Sequence, residues 1–151
     1  MIFNMSYQNK ELTREIRQLK HKSFPELKWV YMGGFYVPDY EVLSIKSLAR
    51  IRIKALARAN EEELFWAVGF GNIILAQSLS SRDHYHERMG IIAHEFSHIV
   101  TGNSCERVVD DEAIKRGYVF ELMEAAKRLE SAGLKRKPLS YSSQELCQML
   151  E

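Results

Sequence analysis

A chain of 151 residues, 46% apolar and 27% charged, can bury one core without disulfides or a structural metal. A formal net charge of +1 gives no general attraction to nucleic acid or to an anionic membrane, and neither is expected as a partner. No run approaches the ~18 uninterrupted apolar residues of a membrane span, and two cysteines are too few for a disulfide framework, so the expected location is cytoplasmic.

Residues 4–22 are polar and charged, and no secretory leader is expected there. Asn9 can cap a helix to about Lys22, with Leu12, Ile16 and Leu19 as its apolar stripe. Pro25 lies just past that helix. Residues 27–31 and 35–37 are rich in aromatic and β-branched side chains around Met32-Gly33-Gly34, which predicts a short hairpin. Residues 40–48 fit helix and strand equally well.

Charged and apolar residues alternate from Arg50 to Ala55, the period of a half-buried strand. A turn near Asn60 to Glu62 leads into the apolar run from Leu64 to Phe70. Gly71-Asn72 then reads as a two-residue turn into a further strand from Ile73 to Leu79. The expectation is a meander of about three antiparallel strands.

Ser80, Ser81 and Asp83 are candidate N-caps for a helix that buries Met89, Ile92, Phe96 and Ile99, with Gly102 ending it. A second helix is expected from Asn103 or Ser104 to about Ala132, with Gly117 marking a bend. A basic linker containing Pro138 follows, and Ser142 with Glu145 predicts a capping box for a last short helix to Leu150. The basic runs at 50–54 and 135–137 read as solvated surface. The chain is read as one α+β domain with its core at about 50–132 and a C-terminal linker and helix at 133–151.

Within the first long helix, His94-Glu95-Phe96-Ser97-His98 spells H-E-x-x-H. At this spacing the two imidazoles project from one helical face, one turn apart, and can grip one Zn²⁺. Glu95 then stands beside the ion as a candidate general base. The pattern is short enough to arise by chance, and two satisfied histidines beside an incidental glutamate are its plain alternative.

A catalytic zinc takes three protein ligands and keeps one open position. Glu106, eight residues past His98 and just beyond the Gly102 break, is the leading third ligand. Asp110, one turn later, is placed to accept the free ring N–H of a ligating histidine. Asn103 with Glu106 also fits a capping box, and Asp110, Asp111 and Cys105 are alternative ligands. Tyr118 is a candidate oxyanion donor and equally a candidate core aromatic. His84 and His86 are expected near the helix start, away from the metal.

The H-E-x-x-H of residues 94–98 followed by Glu106-Arg107-Val108-Val109-Asp110 resembles the gluzincin metallopeptidases, whose second motif, E-x-x-x-D, lies on a glutamate helix. Residues 71–79 resemble the strand that precedes the active-site helix in minimal gluzincins. The likeness spans about Leu64 to Tyr118. It implies a zincin-like fold in which a small antiparallel sheet packs on the two motif helices. It further implies that His94, His98 and Glu106 bind Zn²⁺ and that Glu95 activates the zinc-bound water for peptide hydrolysis. Ile73, Ile74, Leu75, Ala76 and Gln77 would hold an extended peptide or protein substrate by backbone pairing. Two features depart from many gluzincins: the step between the motif helices is short, and Val109 stands where a small residue is usual. The rival reading is a catalytically silent or zymogen-like metal-bound regulatory module, with Glu145 or Cys147 of the last helix folding back onto the ion.

Overall fold

The computed structural model describes residues 8–38, 49–61, 64–131 and 140–151. Residues 40–48, whose sequence fits two states, lie outside the described residues, as does the expected end of the long helix at Gly133. The elements are α1 (Lys10–Ser23), β1 (Val30–Val37), β2 (Ala49–Glu61), β3 (Leu64–Ala76), α2 (Tyr85–Thr101), α3 (Glu106–Lys115), α4 (Val119–Ser131) and α5 (Ser143–Met149). The architecture is α+β. No described helix is long and apolar enough to cross a membrane.

Asn9 caps α1 as expected, its side chain accepting the Leu12 N–H at 2.9 Å. Leu12, Ile16 and Leu19 are buried and belong to the same core cluster as Phe24, Val30, Ile92, Leu122 and Leu146. The core therefore extends on both sides of residues 50–132: the N-terminal helix and first strand are part of it.

The sheet has three strands in the order β1-β3-β2, but it is mixed. β2 pairs antiparallel with β3, from Ala49↔Leu75 to Glu61↔Leu64. β1 runs parallel to β3, from Val30↔Gly69 to Val37↔Ala76. Two expected turns are absent. Gly33 and Gly34 lie inside β1, and Gly71 and Asn72 lie inside β3, paired with β1 on one side and β2 on the other.

The glycines of β1 serve close approach instead of a turn. A Cβ on Gly34 would lie 2.5 Å from Leu12 Cγ, so α1 is seated directly on the strand. That helix also covers the outer edge of β1. Asn9 N–H donates to the Gly34 carbonyl (2.8 Å), Gly34 N–H donates to Thr13 Oγ1 (3.0 Å) and Lys20 Nζ donates to the Val30 carbonyl (2.5 Å). A strand edge with its polar groups taken in this way is closed to further pairing.

The helix carrying the motif is preceded by a 3₁₀ turn, Arg82–His84, capped by Ser81. Arg88 fixes its start. The buried guanidinium forms a two-pronged bond to Glu15 of α1 (2.9 and 2.8 Å) and donates to the Leu79 and Ser81 carbonyls. Gly102 ends α2 in the left-handed conformation, φ 62°, with its N–H on the carbonyls of His98 and Ile99. Gly90 lets α4 cross close by: a Cβ there would fall 2.1 Å from the Glu121 carbonyl oxygen.

The single long helix expected beyond Gly102 is two helices. Gly117, at φ 97°, takes a left-handed conformation that stops α3, and α4 starts afresh at Val119. Arg116 secures the corner by donating to the Ser23 carbonyl and pairing with Glu26. The Ser142–Glu145 capping box forms as expected, and α5 buries Leu146 while packing on α4.

Candidate metal centre

His94 and His98 stand one turn apart on α2, their ring centroids 4.8 Å apart and their planes at 88°. The tight turn at 102–105 brings the first residue of α3 back over them. Glu106 Oε2 lies 2.9 Å from His94 Nε2, and Oε1 lies 3.4 Å from His98 Nε2. One donor atom from each of the three residues lies within 4.8 Å of the others.

The alternative capping role of Glu106 is not taken up. Asn103 Oδ1 accepts the Cys105 N–H at 2.7 Å, and Cys105, at the N-cap of α3, makes no side-chain cap. The Glu106 carboxylate is thereby left to face the histidines. Its Oε2 is buried, 2.9 Å from His94 Nε2.

The far nitrogen of each ring is already held. His94 Nδ1 lies 2.7 Å from Asp110 Oδ1, and His98 Nδ1 lies 3.0 Å from the Asn103 carbonyl. A carbonyl oxygen only accepts, so His98 donates through Nδ1, and its Nε2 is the nitrogen turned toward Glu106. The same arrangement suits His94. Carboxylate and carbonyl partners of this kind fix the tautomer and orientation of ligating histidines. Asp110 occupies the position read for it from sequence. The Asn103 carbonyl is a backbone acceptor that no pattern of side chains announces.

Asp110 is itself anchored, its Oδ2 accepting Ser140 N–H (2.7 Å) and Ser140 Oγ–H (3.0 Å). Tyr141 donates to Asp111, and the Arg107 guanidinium lies 4.0 Å from the centre of the Tyr141 ring. Sequence reasoning missed Ser140 because its partner is 30 residues away and no local pattern links them. The C-terminal segment thus grips the outer side of α3. Glu145 accepts the Ser142 N–H in the capping box, and Cys147 is exposed on α5. Neither matches the fold-back position considered for it.

Burial disfavours a charged His94 ring, but its contacts to Asp110 and Glu106, with the charge of Glu95, outweigh burial and raise it to about 10. Burial also pushes the Glu95 carboxyl above its ordinary value, against the pull of His94 and His98. Burial works in the same direction on Glu106, where contact with His94 and the charge of His98 prevail and hold the carboxyl below its ordinary value.

These residues fit a small divalent ion. Bonds of about 2.0–2.1 Å in tetrahedral array place ligand atoms about 3.3 Å apart, close to the Glu106–histidine separations. The donor set is two neutral-capable imidazoles and one carboxylate. Among the described residues no fourth His, Cys, Asp or Glu joins the group. One side is open: the His94 side chain is 4% exposed, whereas those of His98 and Glu106 are 24% and 35% exposed.

Two expected site features are corrected. Tyr118 is a core aromatic, 7% exposed and stacked 6.2 Å from Phe24, and its hydroxyl donates to Ser23. It is not placed as an oxyanion donor. Ile73, Ile74, Leu75 and Ala76 cannot offer a free edge to a substrate, because β3 is the central strand and those side chains are fully buried. Gln77 lies beyond the strand in a 3₁₀ turn. The apolar character of residues 73–76 reflects burial on both faces instead. His86 is exposed at the start of α2, as expected, and His84 faces Glu87 at 2.9 Å.

No family model matches the chain, and neither a characterised protein nor a solved structure matches it.

Proposed function

We propose that this chain is a metal-dependent peptidase of gluzincin type, with His94, His98 and Glu106 holding a Zn²⁺ ion and Glu95 acting as general base. The observation that carries the reading is the convergence of Glu106 on both Nε2 atoms while both Nδ1 atoms are held from behind. Structural histidines satisfied by the core have no need of one carboxylate shared between the Nε2 atoms of both rings.

When bound, the ion supplies Lewis-acid polarisation of the scissile carbonyl and eases ionisation of water. The remaining work falls to the chain. Asp110 and the Asn103 carbonyl keep the imidazoles turned toward the open side. Glu95, raised by burial and next in sequence to His94, takes the proton of the attacking water and delivers it to the leaving nitrogen. Phe96, Ile92 and Ala93, all fully buried, pack the inner side of α2 and set the rigid wall against which the histidines are presented.

An extended substrate would need another place than β3. The test of the reading is Glu95→Gln assayed on an unfolded protein substrate such as casein. That variant should retain the metal and lose hydrolysis by at least about 100-fold, the scale on which a general base contributes. Full hydrolysis by the variant would end the peptidase reading.

A further inference from the structure

A cavity of about 410 Å³ opens between the last turns of α1 and the start of β1, away from the elements that carry the histidines. It is lined by Arg17, Lys20, His21, Lys28, Trp29 and Tyr31, with no carboxylate among them. None of the four basic side chains forms an ion pair among the described residues. The ion pairs of α1 use Arg14 with Glu11, and Glu15 with Arg88 instead.

Lys20 is the least accommodated of the group. It is 9% exposed and donates to the Val30 carbonyl, a neutral partner. Burial and the nearby Arg17 both hold its ammonium below the usual lysine range. A buried cation beside a second cation is a cost that an arriving anion removes. Basic residues in a last helical turn often serve the helix dipole alone. Lys20, however, reaches across to β1, and Lys28 comes from beyond the helix altogether, so the cluster is assembled by the tertiary fold.

The same cavity presents flat aromatic surface. Trp29 is 60% exposed and Tyr31 is 38% exposed, and Lys28 Nζ lies 5.2 Å from the centre of the Trp29 ring. An exposed tryptophan beside unpaired cations matches a ligand that joins phosphate to a planar ring. A concavity of this size takes a discrete group, in contrast to the plane of a bilayer.

We infer that this cavity binds a nucleotide unit, the phosphate against Arg17, Lys20 and Lys28 and the base against Trp29. The unit comes either as a free mononucleotide or as part of a single-stranded nucleic acid. The net charge of +1 conceals this site, because the balancing acidic residues lie elsewhere. The inference is independent of the metal centre.

The test is fluorescence anisotropy of a fluorescein-labelled oligothymidylate of about twelve nucleotides, a length within the reach of small single-strand sites. Unlabelled thymidine monophosphate serves as competitor. Binding should weaken with salt at a log–log slope of about −0.7, as one neutralised phosphate of a single strand requires. Arg17→Glu combined with Lys28→Glu should lower affinity at least tenfold, and Trp29→Ala several-fold. All three positions are exposed, and an unchanged circular dichroism spectrum would verify the fold. Competition by the monophosphate identifies a mononucleotide pocket; its failure beside tight oligonucleotide binding identifies the polymer. Absence of binding to both would overturn the inference. So would binding that survives the charge reversals, or binding confined to vesicles of phosphatidylserine and phosphatidylcholine.

Discussion

Ser140 holds the oxygen of Asp110 that His94 leaves free, through both its N–H (2.7 Å) and its hydroxyl (3.0 Å). Asp110 is 1% exposed, so these bonds and the one to His94 supply its compensation for burial. A residue from the C-terminal segment thereby steadies the carboxylate behind a proposed metal ligand. Replacing Asp110 with Asn should weaken metal retention by about 10–100-fold, the usual effect of losing such a partner. Ser140→Ala should give a smaller loss, along with about 1 kcal/mol of stability. Competition with a chromophoric zinc chelator measures both, and unchanged affinity in the two variants would remove the positioning role.

The same contacts set the expectation for truncation. Removing residues 133–151 takes Ser140 from Asp110, Tyr141 from Asp111 and the buried Leu146 from α4. If the tail were a plug, its removal would raise cleavage of an unfolded protein. Since the tail supports α3, removal should lower both metal content and cleavage. A gain in activity would restore the zymogen-like reading.

Much of the site was legible because its decisive residues are close in sequence. The spacing of His94 and His98 follows from helical periodicity, and Gly102 marks the stop that returns Glu106 to them. Asp110 follows one turn after Glu106 on the same helix. The supporting contacts were not legible: Ser140 and Arg88 act over long separations, and the Asn103 partner is a backbone carbonyl. The sheet was read less well for a specific reason. Gly33-Gly34 and Gly71-Asn72 have turn composition, yet in the first pair glycine is used for contact with α1 and in the second the chain passes straight through a central strand. Tyr118 could be read either as donor or as core, and burial against Phe24 decided for core.

Gly90 offers a test of how α2 is seated. A methyl group there would lie 2.1 Å from the Glu121 carbonyl oxygen, a backbone atom that cannot swing aside. Gly90→Ala should therefore destabilise the fold by about 1–3 kcal/mol, in spite of alanine's better helix propensity. Thermal unfolding should report a Tm lower by about 2–12 °C. A rise in Tm would show that the two helices are not packed this closely.

Acid should loosen the corner between α3 and α4. The hydrogen bond from Arg116 leads the causes that hold the Glu26 carboxyl below its ordinary value, with burial opposing. A carboxyl depressed in the folded state stabilises fully above its unfolded value of about 4.3. That contribution fades as pH falls through the lower folded value. Because Glu26 is partly exposed, with 30% of its side chain accessible, the contribution is about 1 kcal/mol or less after solvent screening. Denaturant unfolding between about pH 7 and pH 3 should show Glu26→Gln less stable than the parent at neutral pH and the difference shrinking in acid. A difference that stays constant with pH would contradict the ion pair.

The most direct measurement is the metal content of the purified chain beside Glu95→Gln and Glu106→Gln. One divalent ion per chain is expected in the parent and in Glu95→Gln, with most of it lost in Glu106→Gln after dialysis against a mild chelator. A parent chain that takes up no ion, or a Glu106→Gln variant that holds it as tightly as the parent, would contradict the three-residue centre.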